Sequence, residues 1–255
     1  MILAQISDTH ILAADADDAD EARACGRLQA LERCVGDINS LDPLPHGVIH
    51  TGDMSQNGRP EEYAFAREAL DRLRMPYYVT PGNRDERGAF AAAFGIAGDG
   101  TFVQYAIDDH PVRLVAVDSL SLNGNMGDLC DRRLVALAEL LAAVPDKPTA
   151  IFLHHPPFDV MTASEERRFQ YHRRQAVDDL ADLLSRCPQV IHVFSGHAHR
   201  PWRAGIGHAQ ASTMPSVAWD LRMGDYPPAL AETPVYQLHG YTPETGFVSQ
   251  SRIAT

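Results

Sequence analysis

The sequence predicts an α/β protein, a layered sandwich with mixed sheets, and three observations carry that reading. Short apolar runs of strand length alternate with amphipathic stretches along the 255 residues. Five of those runs end in a compact polar cluster: Asp8-Thr9-His10, Gly52-Asp53, Gly82-Asn83-Arg84-Asp85, His154-His155-Pro156 and Gly196-His197-Ala198-His199. No repeat, low-complexity tract or linker interrupts the pattern, so a single domain over residues 1–255 is expected. Its core would span about residues 1–200, with strands in 201–255 completing the second sheet.

Residues 2–6 read as the first strand, and the helix after them presents Leu28, Leu31, Val35 and Ile38 on one face. Residues 47–51 form the next strand. Pro60 then opens a second helix, with Glu61 and Glu62 in its first turn and Ala66, Leu70 and Leu73 along one side. A third strand covers 77–80. Residues 103–107 and 112–119 are β-like runs separated by Asp108, Asp109, His110 and Pro111, which suits a hairpin. Leu134, Leu137, Leu141 and Val144 mark a helix, 150–153 a strand, 177–184 a helix and 190–194 a strand. From Trp202 the tail reads as short strands ending with 235–238 and 247–251.

Composition narrows the function classes. Hydrophobic residues make up 45% and charged residues 22%, which is ordinary globular usage. A formal net charge of -12 disfavours duplex nucleic acid and anionic membrane surfaces, although bound cations would locally reverse the field. No apolar run is long enough to span a bilayer, and MILAQISDTH lacks the features of a secretory leader, so a cytoplasmic protein is expected. Cys25, Cys34, Cys130 and Cys187 show no close-pair spacing and read as reduced thiols. The acidic stretch 15–21 fails as a calcium loop, having no Gly at the sixth position from Asp15 and no Glu at the twelfth. A solvated loop near a cleft mouth is expected there.

Each polar cluster alone has a bland reading as a strand-end turn, a polar loop or a chance pair of surface histidines. Five at strand ends converge naturally, because ligands gather outside the carboxyl ends of strands in open α/β sheets. Carboxylate and imidazole together suit zinc, iron, manganese or cobalt, and the lack of cysteine among them argues against a structural zinc knot.

With these residues in this order the chain resembles the calcineurin-like metallophosphoesterase superfamily, whose pattern runs D-x-H, G-D, G-N-H-D/E, H and G-H-x-H. The match extends from Asp8 to His199. Ser7-Asp8-Thr9-His10, Arg59-Pro60-Glu61-Glu62-Tyr63, Thr80-Pro81-Gly82-Asn83 and His154-His155-Pro156-Pro157 narrow it to the branch of bacterial class III cyclic nucleotide phosphodiesterases and glycerophosphodiesterases. The resemblance implies an α/β/β/α sandwich with two mixed sheets and two divalent transition-metal ions, drawn from Mn, Fe, Zn or Co. Asp8, His10 and His199 would hold one ion, Asn83, His154 and His197 the other, and Asp53 would bridge them. The implied reaction is hydrolysis of small phosphodiesters, cyclic nucleotides or glycerophosphodiesters, by a metal-bound hydroxide. Asn83 and His155 are the expected substrate contacts, with a place in the cleft wall as the other reading of His155. A homo-oligomer joined after the fourth motif or through the tail would also fit the branch.

One departure stands out, because Arg84 replaces the histidine that usually follows the motif asparagine. A guanidinium stays charged and is a poor general acid, so Arg84 is expected either to clamp a phosphoryl oxygen or to turn away and pair with a carboxylate such as Asp85. Phosphomonoesterase, nuclease and non-catalytic metal-binding scaffold are the alternatives. The protein phosphatase pattern is missing its Asp and Arg after Gly52-Asp53, where Met54, Ser55, Gln56 and Asn57 stand instead. No basic or aromatic track supports a nuclease.

Overall fold

The computed structural model describes residues 1–13, 21–96, 101–161 and 167–255, so the acidic stretch is, apart from Glu21, outside the described residues. In chain order the elements begin with β1 (Ile2–Ile6), α1 (Glu21–Asn39), β2 (Gly47–His50), α2 (Pro60–Leu70), β3 (Tyr77–Val79), α3 (Arg87–Phe94), β4 (Tyr105–Ile107) and β5 (Arg113–Ala116). They continue with α4 (Asp131–Ala143), β6 (Thr149–Phe152), β7 (Val160–Met161), β8 (Arg167–Arg168), α5 (Arg174–Ser185) and β9 (Val190–Ser195). The tail supplies β10 (Trp202–Ile206), β11 (Ala209–Thr213), β12 (Val235–Thr242) and β13 (Gly246–Ile253).

Two mixed sheets result. The first has the order β13-β12-β1-β2-β3 and the second β10-β11-β9-β6-β5-β4. Strands β1, β2 and β3 run parallel, as do β5, β6, β9 and β11, while β4, β10, β12 and β13 pair antiparallel. Alternation along the strands divides the core. Leu3 and Ile49 point between the sheets to meet Leu114, Ala150, Phe152 and Phe194. Ala4, Ile6 and Val48 face outward onto α1, α2 and α3, and Val115, Ile151 and Val193 face α4 and α5. The layers are therefore α/β/β/α.

The helices form for local reasons as well. Pro60 occupies the first turn of α2, and Glu62 accepts the backbone N–H groups of Asn57 and Arg59 at 2.9 and 3.3 Å, closing its N-terminus. That helix stops at Leu70, so Leu73 packs from the turn that follows rather than from the helix. Helix α3 has no counterpart in the sequence reading. It starts where the Glu86 carboxylate accepts from Gly88 and Ala89 N–H, ends at Gly95, and buries Phe90.

The tail departs from expectation. Instead of all completing one sheet, β10 and β11 extend the second sheet while β12 adds antiparallel to β1 in the first. Tyr236 of β12 packs in the core under α1, and its hydroxyl donates to Asp37 Oδ2 at 2.5 Å. Arg252 of β13 donates to the same oxygen at 2.7 Å. This anchorage ties the last strands to α1 and hence to the first sheet.

Candidate metal centre

The five polar clusters sit just past the carboxyl ends of β1, β2, β3, β6 and β9, and the structure brings all seven ligand candidates named from the sequence together there. Their loops are conformationally costly. Asp8, His10, Asp53, His197 and His199 have φ between 46° and 64°, and they are the non-glycine residues with positive φ among the described residues. Each such residue costs of order 1 kcal/mol or more and is kept only where its surroundings over-determine it. Two glycines let the loops close on one another. A Cβ on Gly82 would stand 2.3 Å from the Asp53 nitrogen, and one on Gly196 would stand 2.6 Å from Asp8 Oδ2.

The polar atoms form two groups that meet at Asp53. In one, His154 Nε2, His197 Nδ1 and Asn83 Oδ1 lie 2.8 to 3.1 Å apart. In the other, His199 Nε2 is 3.3 Å from His10 Nε2 and 3.2 Å from Asp8 Oδ1. Asp53 turns Oδ1 toward His154 Nε2 at 3.4 Å and Oδ2 toward His10 Nε2 at 3.6 Å. Ligand atoms held at roughly 2.0–2.2 Å from one cation are about 2.8–3.6 Å from each other, from octahedral to tetrahedral geometry, so both groups have the spacing of a coordination shell.

Electrostatics make the same demand. His154 Nδ1 faces the Thr51 carbonyl at 2.8 Å and His199 Nδ1 the Leu221 carbonyl at 2.9 Å, so each Nδ1 carries hydrogen and each Nε2 points into the site. Burial alone would lower His154, but the Asp53 and Asp8 charges push it up to about 9. His199 is likewise raised against burial, chiefly by Asp8. Burial drives His10 down to about 4 and His197 down to about 3. Burial would raise the Asp8 carboxyl, yet His199 and His154 hold it at about 2, and His154 holds Asp53 well below the usual range. Without a cation, the buried carboxylates thus favour the charged form of one histidine in each group, His154 and His199. The residues fit two divalent ions in that role.

His155 is buried beside these groups but turned differently. Its backbone N–H donates to Ser119 Oγ at 3.0 Å, its Nδ1 is 3.0 Å from that oxygen, and its Nε2 is 3.1 Å from the Asn125 carbonyl. The Asn125 carbonyl requires Nε2–H, and Nδ1 then accepts from the Ser119 hydroxyl. Both ring nitrogens are thus engaged by Ser119 and Asn125. Arg84 is exposed, and its guanidinium has no hydrogen bond or ion pair among the described residues. Its expected alternative partner, Asp85, is buried and accepts from the N–H groups of Gly82, Met54 and Ser55 and from Ser55 Oγ. Burial and the neighbouring Asp53 push the Asp85 carboxyl up to about 6. Pairing of Arg84 with Asp85 is therefore not observed.

Residues 1–201 match the family model described as calcineurin-like phosphoesterase. The chain belongs to the calcineurin-like phosphoesterase family. A probable glycerophosphodiester phosphodiesterase (GpdQ) of Arcobacter nitrofigilis is 34% identical over 98% of this chain and 92% of its own length. A probable cyclic nucleotide phosphodiesterase of Rhodopseudomonas palustris is 33% identical over 91% of this chain and 85% of its own. Among solved structures, a dimetal phosphatase from Danio rerio has a TM-score of 0.72 at 13% identity, covering 100% of this chain and 99% of that one, which shows a shared fold. Membership in this family implies divalent metal ions as cofactors.

Several residues support the site of this phosphoesterase in roles that the sequence did not assign them. Buried His50 accepts the Gly52 N–H on Nδ1 and lies 3.1 Å from Thr9 Oγ1, and Thr9 donates onward to Met54 O, so the first two motif loops are tied together. Ser7 Oγ donates to Asp8 Oδ2 at 2.6 Å. Gln56 and Gln170 stand behind His10 and His197 at 3.0 Å each. A histidine inside an apolar strand, as at position 50, was the one readable signal among these.

Proposed function

We propose that this phosphoesterase is a two-metal phosphodiesterase for small diesters, with Asp8, His10 and His199 at one ion, Asn83, His154 and His197 at the other, and Asp53 bridging. The observation that carries the reading is Asp53, whose two oxygens face two separate groups of nitrogen and oxygen donors. The chain is a phosphodiester hydrolase: relatives spanning most of its length are named as glycerophosphodiester and cyclic nucleotide phosphodiesterases, and both substrate types are small diesters. Two bound divalent ions would supply Lewis acidity and a water able to ionise near neutral pH. The sulfur-free donor set suits Mn, Fe, Zn or Co.

The chain's own residues then divide the remaining work. Asp53 and Asp8 supply the fixed negative charge that holds the ions. The Arg84 backbone N–H donates to Asp53 Oδ1 at 2.8 Å, which orients the bridging carboxylate, and the exposed Arg84 guanidinium, without a partner among the described residues, is the positive charge assigned to a phosphoryl oxygen. Arg84 cannot protonate a leaving alkoxide, and the Nε2–H of His155 faces the Asn125 carbonyl rather than the site. Water is left as the proton source. No described helix is long and apolar enough to cross a membrane.

The test is hydrolysis by manganese-loaded protein of bis-p-nitrophenyl phosphate against p-nitrophenyl phosphate. A higher kcat/KM on the diester is expected, since a monoester dianion brings more charge to a carboxylate-lined cleft. Equal or greater efficiency on the monoester overturns the diesterase reading.

A further inference from the structure

Four histidines aim a nitrogen into the candidate centre, and what stands behind them differs. His154 and His199 are backed by main-chain carbonyls of Thr51 and Leu221. His10 and His197 are backed by side-chain amides, one in each group of donors. The orientation of each amide follows from a neighbour that can play only one role.

Gln56 Oε1 is 3.1 Å from Arg27 Nη1, and a guanidinium only donates, so the atom there is the oxygen. The same oxygen is 3.0 Å from His10 Nδ1, which must therefore carry hydrogen. His10 Nε2 is left bare toward His199 and Asp53. Arg27 is itself fixed, buried, by Asp220 at 2.8 Å and by the His10 carbonyl at 3.1 Å. On the other side Gln170 Nε2 donates to the Arg168 carbonyl at 2.9 Å, and a carbonyl only accepts. Gln170 Oε1, 3.0 Å from His197 Nε2, thus receives Nε2–H and leaves Nδ1 bare toward Asn83 and His154. The Gln170 backbone is held in turn, its carbonyl accepting from Gly127 N–H at 2.8 Å.

We infer that Gln56 and Gln170 are positioning residues, each fixing the tautomer of one ligand histidine and through it the affinity of one ion position. The inference rests on the two-metal reading for its second half only. Loss of such a partner typically costs about 10–100-fold in metal affinity.

The test uses the full chain with Gln56→Met and Gln170→Met, which keep bulk and remove the acceptor, and Gln56→Glu, which restores one. Nitrogen-15 spectra of labelled histidines in metal-free protein report the tautomers directly. Wild type should show His10 protonated at Nδ1 and His197 at Nε2, and each Met variant should lose that preference at its own histidine alone. Equilibrium dialysis with Mn2+ should then show one of two ions weakened by about 10–100-fold in each Met variant, the other nearly unchanged, and recovery in Gln56→Glu. Gln170→Met carries the test alone if Gln56→Met fails to fold with Arg27 short of a partner. Unchanged tautomers, or two ions bound with wild-type affinities in the folded Met variants, overturn the inference. Wild-type protein that binds no manganese while showing the expected tautomers overturns the two-metal reading and the affinity half, and leaves the tautomer assignment standing.

Discussion

Replacing Asp53 by Asn tests the bridge with the least disturbance to shape. The amide oxygen can still accept the Arg84 N–H that Oδ1 receives at 2.8 Å, so the loop should keep its form. The amide nitrogen must then occupy the side that faces His10 Nε2 at 3.6 Å, putting a donor where a cation would need an acceptor. One negative charge disappears from between the two donor groups. At about 4 Å and an effective dielectric constant of about 20, a pair of unit charges is worth about 4 kcal/mol, hence about 8 for a divalent ion. Even half of that figure is close to a thousandfold in affinity. Asp8→Asn is the control, because the ligand imidazoles that its carboxylate faces are those of His10 and His199, at 3.9 and 3.2 Å, while its contact to the other group is the His197 backbone N–H, which an amide oxygen can still accept. Metal content after equilibrium dialysis should fall at both positions in Asp53→Asn and at one in Asp8→Asn, with diester hydrolysis lost in the first. Wild-type metal content and full activity in Asp53→Asn would falsify the bridging role, and equal losses in the two variants would show that the groups are not separate.

Arg84→Ala should slow aryl and alkyl diesters alike by roughly 10–1000-fold, whereas Arg84→His should favour alkyl over aryl diesters by adding an acid; matched kinetics that move in neither variant mean the guanidinium does not reach the phosphate. Gly82→Ala places a Cβ 2.3 Å from the Asp53 nitrogen, so stability should drop by about 1–3 kcal/mol along with metal content, and a variant normal in both removes the close-approach argument. Burial would raise Asp37, but Arg252 and Tyr236 hold its carboxyl below the ordinary value. A depressed folded pKa contributes stability above the ordinary carboxylate range that disappears as pH falls through the folded value. Asp37→Asn should therefore destabilise at pH 7, by about 1–3 kcal/mol, and converge with wild type in acid; urea titrations at neutral and acid pH that stay parallel would refute this.

Strand positions and the five clusters were legible because β1, β2, β6 and β9 are short, mostly apolar runs, and a polar cluster directly after such a run must lie at the strand's carboxyl end. Helix α3 was not, since its Ala-rich eight residues bury only Phe90 and carry no apolar period. The split of the tail strands between sheets was not either, because alternation tells which faces are apolar but not which edge a strand joins. The cleft wall is harder still. Ser119, Asn125 and Gln170 meet His155 and His197 across loops whose contacts follow no period.

Yet one long-range tie did leave a mark in the sequence. Helix α1 buries Ala24, Ala30, Leu31, Cys34, Val35 and Ile38, and Arg27 and Asp37 fall on the same buried side. Charged residues are rarely buried unless paired, so two on the core face of a helix demand partners from elsewhere in the chain. Arg27 finds Asp220, Gln56 and the His10 carbonyl, and Asp37 finds Arg252 and Tyr236. A single amphipathic helix with two misplaced charges thus encoded both the support of His10 and the anchorage of the last two strands. A charge in phase with the apolar face of its helix was a stronger pointer to the site's outer support than the polarity of any loop.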